Sequence, residues 1–332
     1  MRFQISNFRA VAALAVVLTA GAACASKGES VAPRNESPAV APPTQTPAAD
    51  ADAYAELSAR LRGIGERAGG EFGAAVIHVE TGRAAEAGGS RPLALFSVFK
   101  LPLAVAVLKE VEEGRLSLEQ KVRVEPADVS PGVRANTELW SRTVERSVRE
   151  MLELSLVRSD NTSSDQMLKL LGGPAAVTSR MRALGLDGIE VRSSVREFLS
   201  KGGQQNTGTA TDLARLLVML RKGEVLQPPQ LALLLEMMGR AQTGERRLRA
   251  GVPAGTPVAE KTGTGAPGTS TNDVGLITLP GDGGHLAVAV LVSGSKLSVE
   301  EQEKLIAEVA RAAYEAHAGP NAGAAAAASP RR

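Results

Sequence analysis

The 332-residue chain is poor in the side chains that most often carry chemistry. It has three histidines, one cysteine, one tryptophan and two tyrosines, and aromatic residues make up only 3% of it. None of the three histidines stands beside a serine in a turn, which argues against a Ser-His-Asp triad, and no HExxH or paired-histidine metal spacing occurs. His78 reads as an ordinary sheet residue. One cysteine excludes an intramolecular disulfide. The scarcity of aromatics leaves little on which bases or sugar rings could stack, and a formal charge of +2 gives no electrostatic footprint for nucleic acid. No glycine-rich phosphate loop followed by Lys-Ser/Thr is present. A hydrolase built on this chain would take its base from a lysine or a carboxylate.

Long apolar runs are also missing. The N-terminus, MRFQISNFRAVAALAVVLTAGAACAS, carries Arg2 and Arg9, an apolar stretch and then small residues. That order marks an export signal over 1–25, and its apolar part falls short of the roughly 20 residues a spanning helix needs. Cys24 closes the run AGAAC as the lipid-bearing cysteine of a lipoprotein would, although Gly21 stands where leucine is usual. Cleavage after ACA would instead discard Cys24. Residues 26–52 are polar and Pro/Ala-rich, as a tether would be, and 318–332 is a low-complexity tail expected to be disordered. The expectation is a folded region over 53–317, monomeric and exported to the periplasm or cell envelope, soluble or anchored through Cys24.

Within that region apolar spacing predicts helices over 52–67, 98–113, 146–157, 162–171, 174–184, 211–221 and 299–316. Gly-Gly-Pro at 172–174 ends one helix and opens the next. Strands are expected in FGAAVIHVE, RAAEAGG, PVAEKTGT, NDVGLITLP and HLAVAVLVS. The order predicts an α/β (α+β) fold: one antiparallel sheet flanked by the N- and C-terminal helices. An all-helical lobe of about 97–236 would be inserted, with a site in the cleft between lobes.

Ser97 and Lys100, in FSVFKLPL, stand three apart at a predicted helix start. On a helix they share one face, with Ser97 near the free N–H groups and Lys100 against apolar neighbours. Desolvation and nearby cations can leave such a lysine neutral and able to take a serine proton. The plain alternative is a capping serine with a snorkelling lysine, and SGSK (Ser293–Lys296) shows that the pattern arises by chance. Two further motifs decide between them. SDN (Ser159, Asp160, Asn161) follows about 60 residues later, and KTGT (Lys261–Thr264) about 100 beyond that.

Ser-x-x-Lys, Ser-Asp-Asn and Lys-Thr-Gly in this order and spacing resemble the class A serine β-lactamases across nearly all of 53–317. The resemblance implies hydrolysis of a small-molecule β-lactam without cofactor or metal. Ser97 would attack the lactam carbonyl with Lys100 as proton acceptor, and the N–H groups of Ser97 and Thr264 would form the oxyanion hole. Ser159 would pass a proton to the leaving nitrogen, held electrostatically by Lys261. Lys261, Thr262, Gly263 and Thr264 would line the subsite for the substrate carboxylate. Asn161 would hydrogen-bond the acylamide side chain and orient Lys100, while Asp160 would hold the turn. Many relatives carry an arginine after Lys-Thr-Gly, which STNDVGL lacks; Arg247 matches the position from which other members supply it.

The deacylating glutamate that the resemblance implies is less plain. The loop GIEVRSSVREFLSKGGQQNTGTATDL lacks the usual Glu-x-x-x-Asn. Aligning Arg192 with the family's loop arginine puts Glu197 in place, counting back from Asn206 puts Ser193 there, and Glu190 is a further candidate. Glu197 as a solvated charge paired with Arg196 is the plain alternative. Without such a base the acyl-enzyme would persist, as in a penicillin-binding protein or a non-turnover receptor. A D-alanyl-D-alanine carboxypeptidase would share the same acylating machinery. Val129, in DVSPG, stands where an aromatic cleft wall is usual.

Overall fold

The computed structural model describes residues 48–132, 137–266 and 269–318, within the unit Thr46–Arg332. The expected export signal, Cys24, most of the 26–52 tether and the tail after 318 lie outside the described residues. Helix α1 (Ala48–Glu66) starts four residues before the helix expected from 52. Its apolar positions Leu57, Leu61 and Ile64 are buried.

The central sheet contains β1 (Glu71–His78), β2 (Ala84–Ala87), β7 (Val258–Thr264), β8 (Ser270–Thr278) and β9 (His285–Ser293). The strand order is β2-β1-β9-β8-β7, antiparallel throughout. Strand β9 reads as an unbroken apolar run because both faces are covered. Alternate residues point to opposite sides. Leu286, Val288, Val290 and Val292 join the core with α1 and the terminal helix α9 (Val299–Ala318), whereas Ala287, Ala289 and Leu291 join the core on the other face.

That second core is organised by α2 (Lys100–Glu112), in which every residue from Lys100 to Leu108 is buried. A helix apolar on all sides belongs at the centre of a domain. Around it lie α3 (Val148–Val157), α4 (Asn161–Leu170), α5 (Pro174–Ala183), α6 (Val195–Lys201), α7 (Ala210–Arg221) and α8 (Pro228–Gly239). Helix α3 starts at a capping box in which Ser147 and Glu150 exchange hydrogen bonds, and those bonds hold the Glu150 carboxyl down at about 2. Two helices were not legible as separate elements in the sequence, α6 and α8. This stretch also carries ladders that period-2 patterning did not reveal: β4 (Lys121–Val124) pairs with β5 (Val144–Ser147), and β3 (Leu93–Ala94) with β6 (Thr207–Gly208). Strands of two to four residues leave too little alternation to detect. No described helix is long and apolar enough to cross a membrane.

Candidate active site

Ser97 lies in a 3-10 turn, Phe96–Phe99, that runs directly into α2. It is not a capping serine, because the cap of α2 is Phe99 and neither the turn nor the helix receives a side-chain cap bond. Lys100 does not snorkel either; it is 0% exposed. Its Nζ donates to Ser97 Oγ at 3.1 Å, Ser159 O at 2.7 Å, Ser159 Oγ at 3.2 Å and Asn161 Oδ1 at 2.8 Å. On both counts the plain alternative fails.

Two non-glycine residues among those described have positive φ, Phe96 at 46° and Ser159 at 58°. Both flank the lysine. Such conformations cost on the order of 1–3 kcal/mol and persist where surrounding contacts over-determine them. Here the contacts are Lys100 on Ser159 and the β7 strand behind the serine turn. Gly263 allows that strand to come close: a Cβ there would lie 2.4 Å from the Leu95 carbonyl oxygen. Asn272 on β8 fixes the same segment, donating to Ala94 O at 2.7 Å and accepting from Val292 N–H at 3.1 Å.

Lys261, 0% exposed, donates to Ser159 Oγ at 3.1 Å and Thr262 O at 2.9 Å. Ser159 Oγ thus receives N–H donors from two lysines, leaving its own proton to be directed elsewhere. Thr262 turns its hydroxyl to Thr243 at 2.7 Å. Thr264 lines the cleft with Arg247. Arg247 is buried and spread across both strands: Nη1 donates to Gly263 O at 3.1 Å and Asn272 O at 2.8 Å, Nη2 to Thr264 Oγ1 at 2.8 Å. Its Nε pairs with Glu303 on α9 at 3.2 Å.

Asp160 caps α4, accepting from Ser163 N–H at 2.7 Å and Trp140 Nε1 at 3.3 Å. Five residues on, Asp165 is buried and accepts from Ser130 Oγ at 2.5 Å and from the N–H groups of Val195 at 2.8 Å and Arg196 at 2.9 Å. Burial pushes its carboxyl up, against those bonds and the Lys100 charge. It ties the start of α6 to α4. Asp165, Asn272 and Glu303 are not legible in the sequence as residues of the site. Only Asp165 left a signal, its i,i+4 spacing from Asn161 on one helix face.

Glu197 is where the structure departs most from expectation. It occupies the third position of α6, where its carboxylate accepts from Ser194 N–H at 2.8 Å while Ser194 Oγ accepts from Glu197 N–H at 3.1 Å. The side chain is exposed, and the Ser194 bonds hold its carboxyl below the ordinary range. It does not pair with Arg196, whose guanidinium bonds Ala127 O and Val129 O. Glu190 forms ion pairs with Arg182 and Arg192. Ser193 is buried, its backbone held by Asn206. None of these three is among the residues lining the cleft, and nor is any of the histidines.

The cleft holds about 580 Å³ and is lined by Ser97, Ser159, Asn161, Arg247 and Thr264 on its polar side. Phe96 and Phe198 meet edge to face with ring centroids 6.4 Å apart, beside Leu199, which is 50% exposed. Aromatic rings therefore reach the cleft from the serine turn and α6, although Val129 is not aromatic.

Behind β7 lies a buried acid pair. Glu260 and Asp273 are both 0% exposed. Each keeps one carboxyl oxygen, Glu260 Oε2 and Asp273 Oδ1, with no donor among the described residues. Burial pushes both carboxyls above their ordinary range, which favours a proton held by the pair.

This geometry has counterparts among known proteins. Residues 56–317 match the model of the β-lactamase enzyme family. The extended-spectrum β-lactamase PER-1 of Pseudomonas aeruginosa is 36% identical over 227 residues, covering 66% of this chain and 73% of that protein. β-Lactamase VEB-1 of the same organism is 32% identical, covering 65% and 75%. The crystal structure of a β-lactamase from Chitinophaga pinensis superposes with a TM-score of 0.73 at 31% identity, covering 79% of this chain and 99% of that one. With the ordered motifs assembled around one buried lysine and the family match spanning the fold, the chain belongs to the β-lactamase enzyme family.

Proposed function

We propose that this protein hydrolyses β-lactams through an acyl-enzyme on Ser97. The observation that carries the reading is Lys100 Nζ, which touches Ser97 Oγ, Ser159 Oγ and Asn161 Oδ1 at once. In acylation Lys100 takes the Ser97 proton as Ser97 Oγ bonds the lactam carbonyl carbon. Breakage of the C–N bond then draws a proton from Ser159 onto the departing nitrogen, and Lys100 restores it. Net, the serine proton moves to the lactam nitrogen and Lys100 ends as it began. The Ser97 and Thr264 N–H groups would hold the oxyanion. Arg247, Lys261 and Thr264 form a cationic, hydroxyl-bearing end suited to the substrate carboxylate, with Thr262 and Gly263 shaping the strand.

The test is the full chain mixed with a chromogenic cephalosporin. Sustained hydrolysis with a covalent adduct on Ser97 supports the reading; a persistent inability to form the adduct would sink it. Arg247→Ala is expected to raise KM on the order of 10-fold or more, since a hydrogen bond to a charged partner contributes about 1.5–3 kcal/mol. An unchanged KM in a variant of normal Tm would remove Arg247 from the substrate site. We further propose export to the cell envelope, as a monomer, with Cys24 as the candidate lipid-bearing residue. Labelling with a fatty-acid analogue, compared with a Cys24→Ala variant, would decide the anchor.

A further inference from the structure

The loop that closes the cleft turns neutral groups toward Ser97 and its carboxylates elsewhere. What it presents to the cleft includes Ser194 and Val195. Glu190 is bound to two arginines, and Glu197 closes the capping box of α6. Asp165 is occupied by Ser130 Oγ and two loop N–H groups. Glu303 is the one carboxylate among the described cleft-lining residues, and Arg246 and Arg247 hold it at 2.6 and 3.2 Å.

We propose that Lys100 is the base of the second half-reaction as well as the first, so that deacylation proceeds without a carboxylate base. This rests on the acyl-enzyme reading above. Lys100 leaves acylation as a neutral amine, because the proton it took from Ser97 has gone to the lactam nitrogen. A water oxygen then attacks the ester carbon as one water proton passes to Lys100 Nζ. Collapse of the tetrahedral intermediate breaks the bond between the carbonyl carbon and Ser97 Oγ. The proton on Nζ, 3.1 Å from that oxygen, returns to it. Ester and water give acid and free serine, with Lys100 unchanged.

One group then serves two steps, and the second is the slower. The acyl-enzyme accumulates and hydrolysis limits kcat. The rate follows the neutral fraction of Lys100 and rises with pH. Charges near that amine include Asp165 from α4 and Lys261 from β7, the latter through the shared Ser159 Oγ. Asp160, at the start of α4 beside Asn161, adds a further carboxylate to this region and accepts from Ser163 and Trp140.

The experiment follows loss of the adduct by intact-protein mass spectrometry, using the full chain loaded with a cephalosporin, from about pH 5 to about 10. The expected result is a rate that climbs with pH across the neutral range in the parent and in Glu197→Gln, the two agreeing within about twofold. Val195→Glu, which puts a carboxylate where the loop faces the cleft, is expected to speed deacylation by about 10-fold or more and flatten its pH dependence. A parent rate already level from mildly acidic pH would overturn the proposal. So would loss of an acidic limb in Glu197→Gln or Asp165→Asn, which would make that carboxylate the base. If the parent forms no adduct at any pH, the acyl-enzyme reading falls and the proposal falls with it. If Val195→Glu does not fold, the parent pH profile and Glu197→Gln decide alone.

Discussion

Ser97→Ala is expected to reduce β-lactam hydrolysis by on the order of 10³-fold or more and to abolish the covalent adduct, with little change in Tm. Removing Oγ takes away the nucleophile, but Lys100 Nζ keeps Ser159 O, Ser159 Oγ and Asn161 Oδ1 as acceptors, so no buried charge is left without partners. Lys100→Ala should lose comparable activity by a different route. The nucleophile remains but has no proton acceptor, and Ser159 and Asn161 lose a buried donor at about 1–3 kcal/mol per orphaned group. The pair of variants is therefore separable: similar loss of turnover, with Tm falling clearly only for Lys100→Ala. Measuring kcat/KM and thermal unfolding on both checks this. Retention of most turnover by Ser97→Ala would show that another group is the nucleophile.

The second large effect belongs to the buried acid pair. Burial, then the nearby Asp273 charge, push Glu260 up to about 10 against the pull of Arg249. Burial pushes Asp273 up to about 6 against Arg247 and the Leu248 N–H. Both lie above their ordinary values of 4.5 and 3.8, so the native state holds protons that the unfolded chain has released. Stability contributed by that retained proton is fully present below the ordinary values and is lost as pH rises toward about 6 for Asp273 and about 10 for Glu260. Tm should therefore fall on the alkaline side.

Glu260→Gln replaces a protonated acid by an amide of the same shape. Its oxygen can accept from Arg249 Nε, now 2.7 Å from Glu260 Oε1, and its NH2 can donate to Asp273. It is expected to raise Tm at alkaline pH, by about 2–4 °C for each kcal/mol relieved, and to flatten the slope. Asp273→Ala does the opposite: it strips the acceptor from the Leu248 N–H, 3.2 Å away, and removes a counter-charge from Arg247 and Lys261. The expected cost is about 3–5 kcal/mol, with a raised KM because Arg247 immediately precedes Leu248 and shifts with it. Thermal scans against pH test both, and a Glu260→Gln slope equal to the parent's would refute the shared proton.

Much of this protein was determined by the sequence acting locally. The run HLAVAVLVS specified a strand covered on both faces, and KLPLAVAVL specified a central helix, because apolar periodicity is a local consequence of burial. Ser97, Lys100, Ser159 and Lys261 were legible because the proposed acylation chemistry needs those residue types in that order. Helix α8 was not resolved from its neighbours, and Asp165, Asn272 and Glu303 were missed. Asn272 and Glu303 act through partners far away in the chain, which no window of sequence contains. Tertiary structure alone decided the state of the glutamates. Glu197 had the identity of a base, but its place at the third position of α6 turned the carboxylate back to Ser194, since a nearby unsatisfied N–H satisfies a carboxylate more readily than a distant cleft does. Residue type and order dictated the cluster around Lys100, while the path of one loop decided where its glutamates turn.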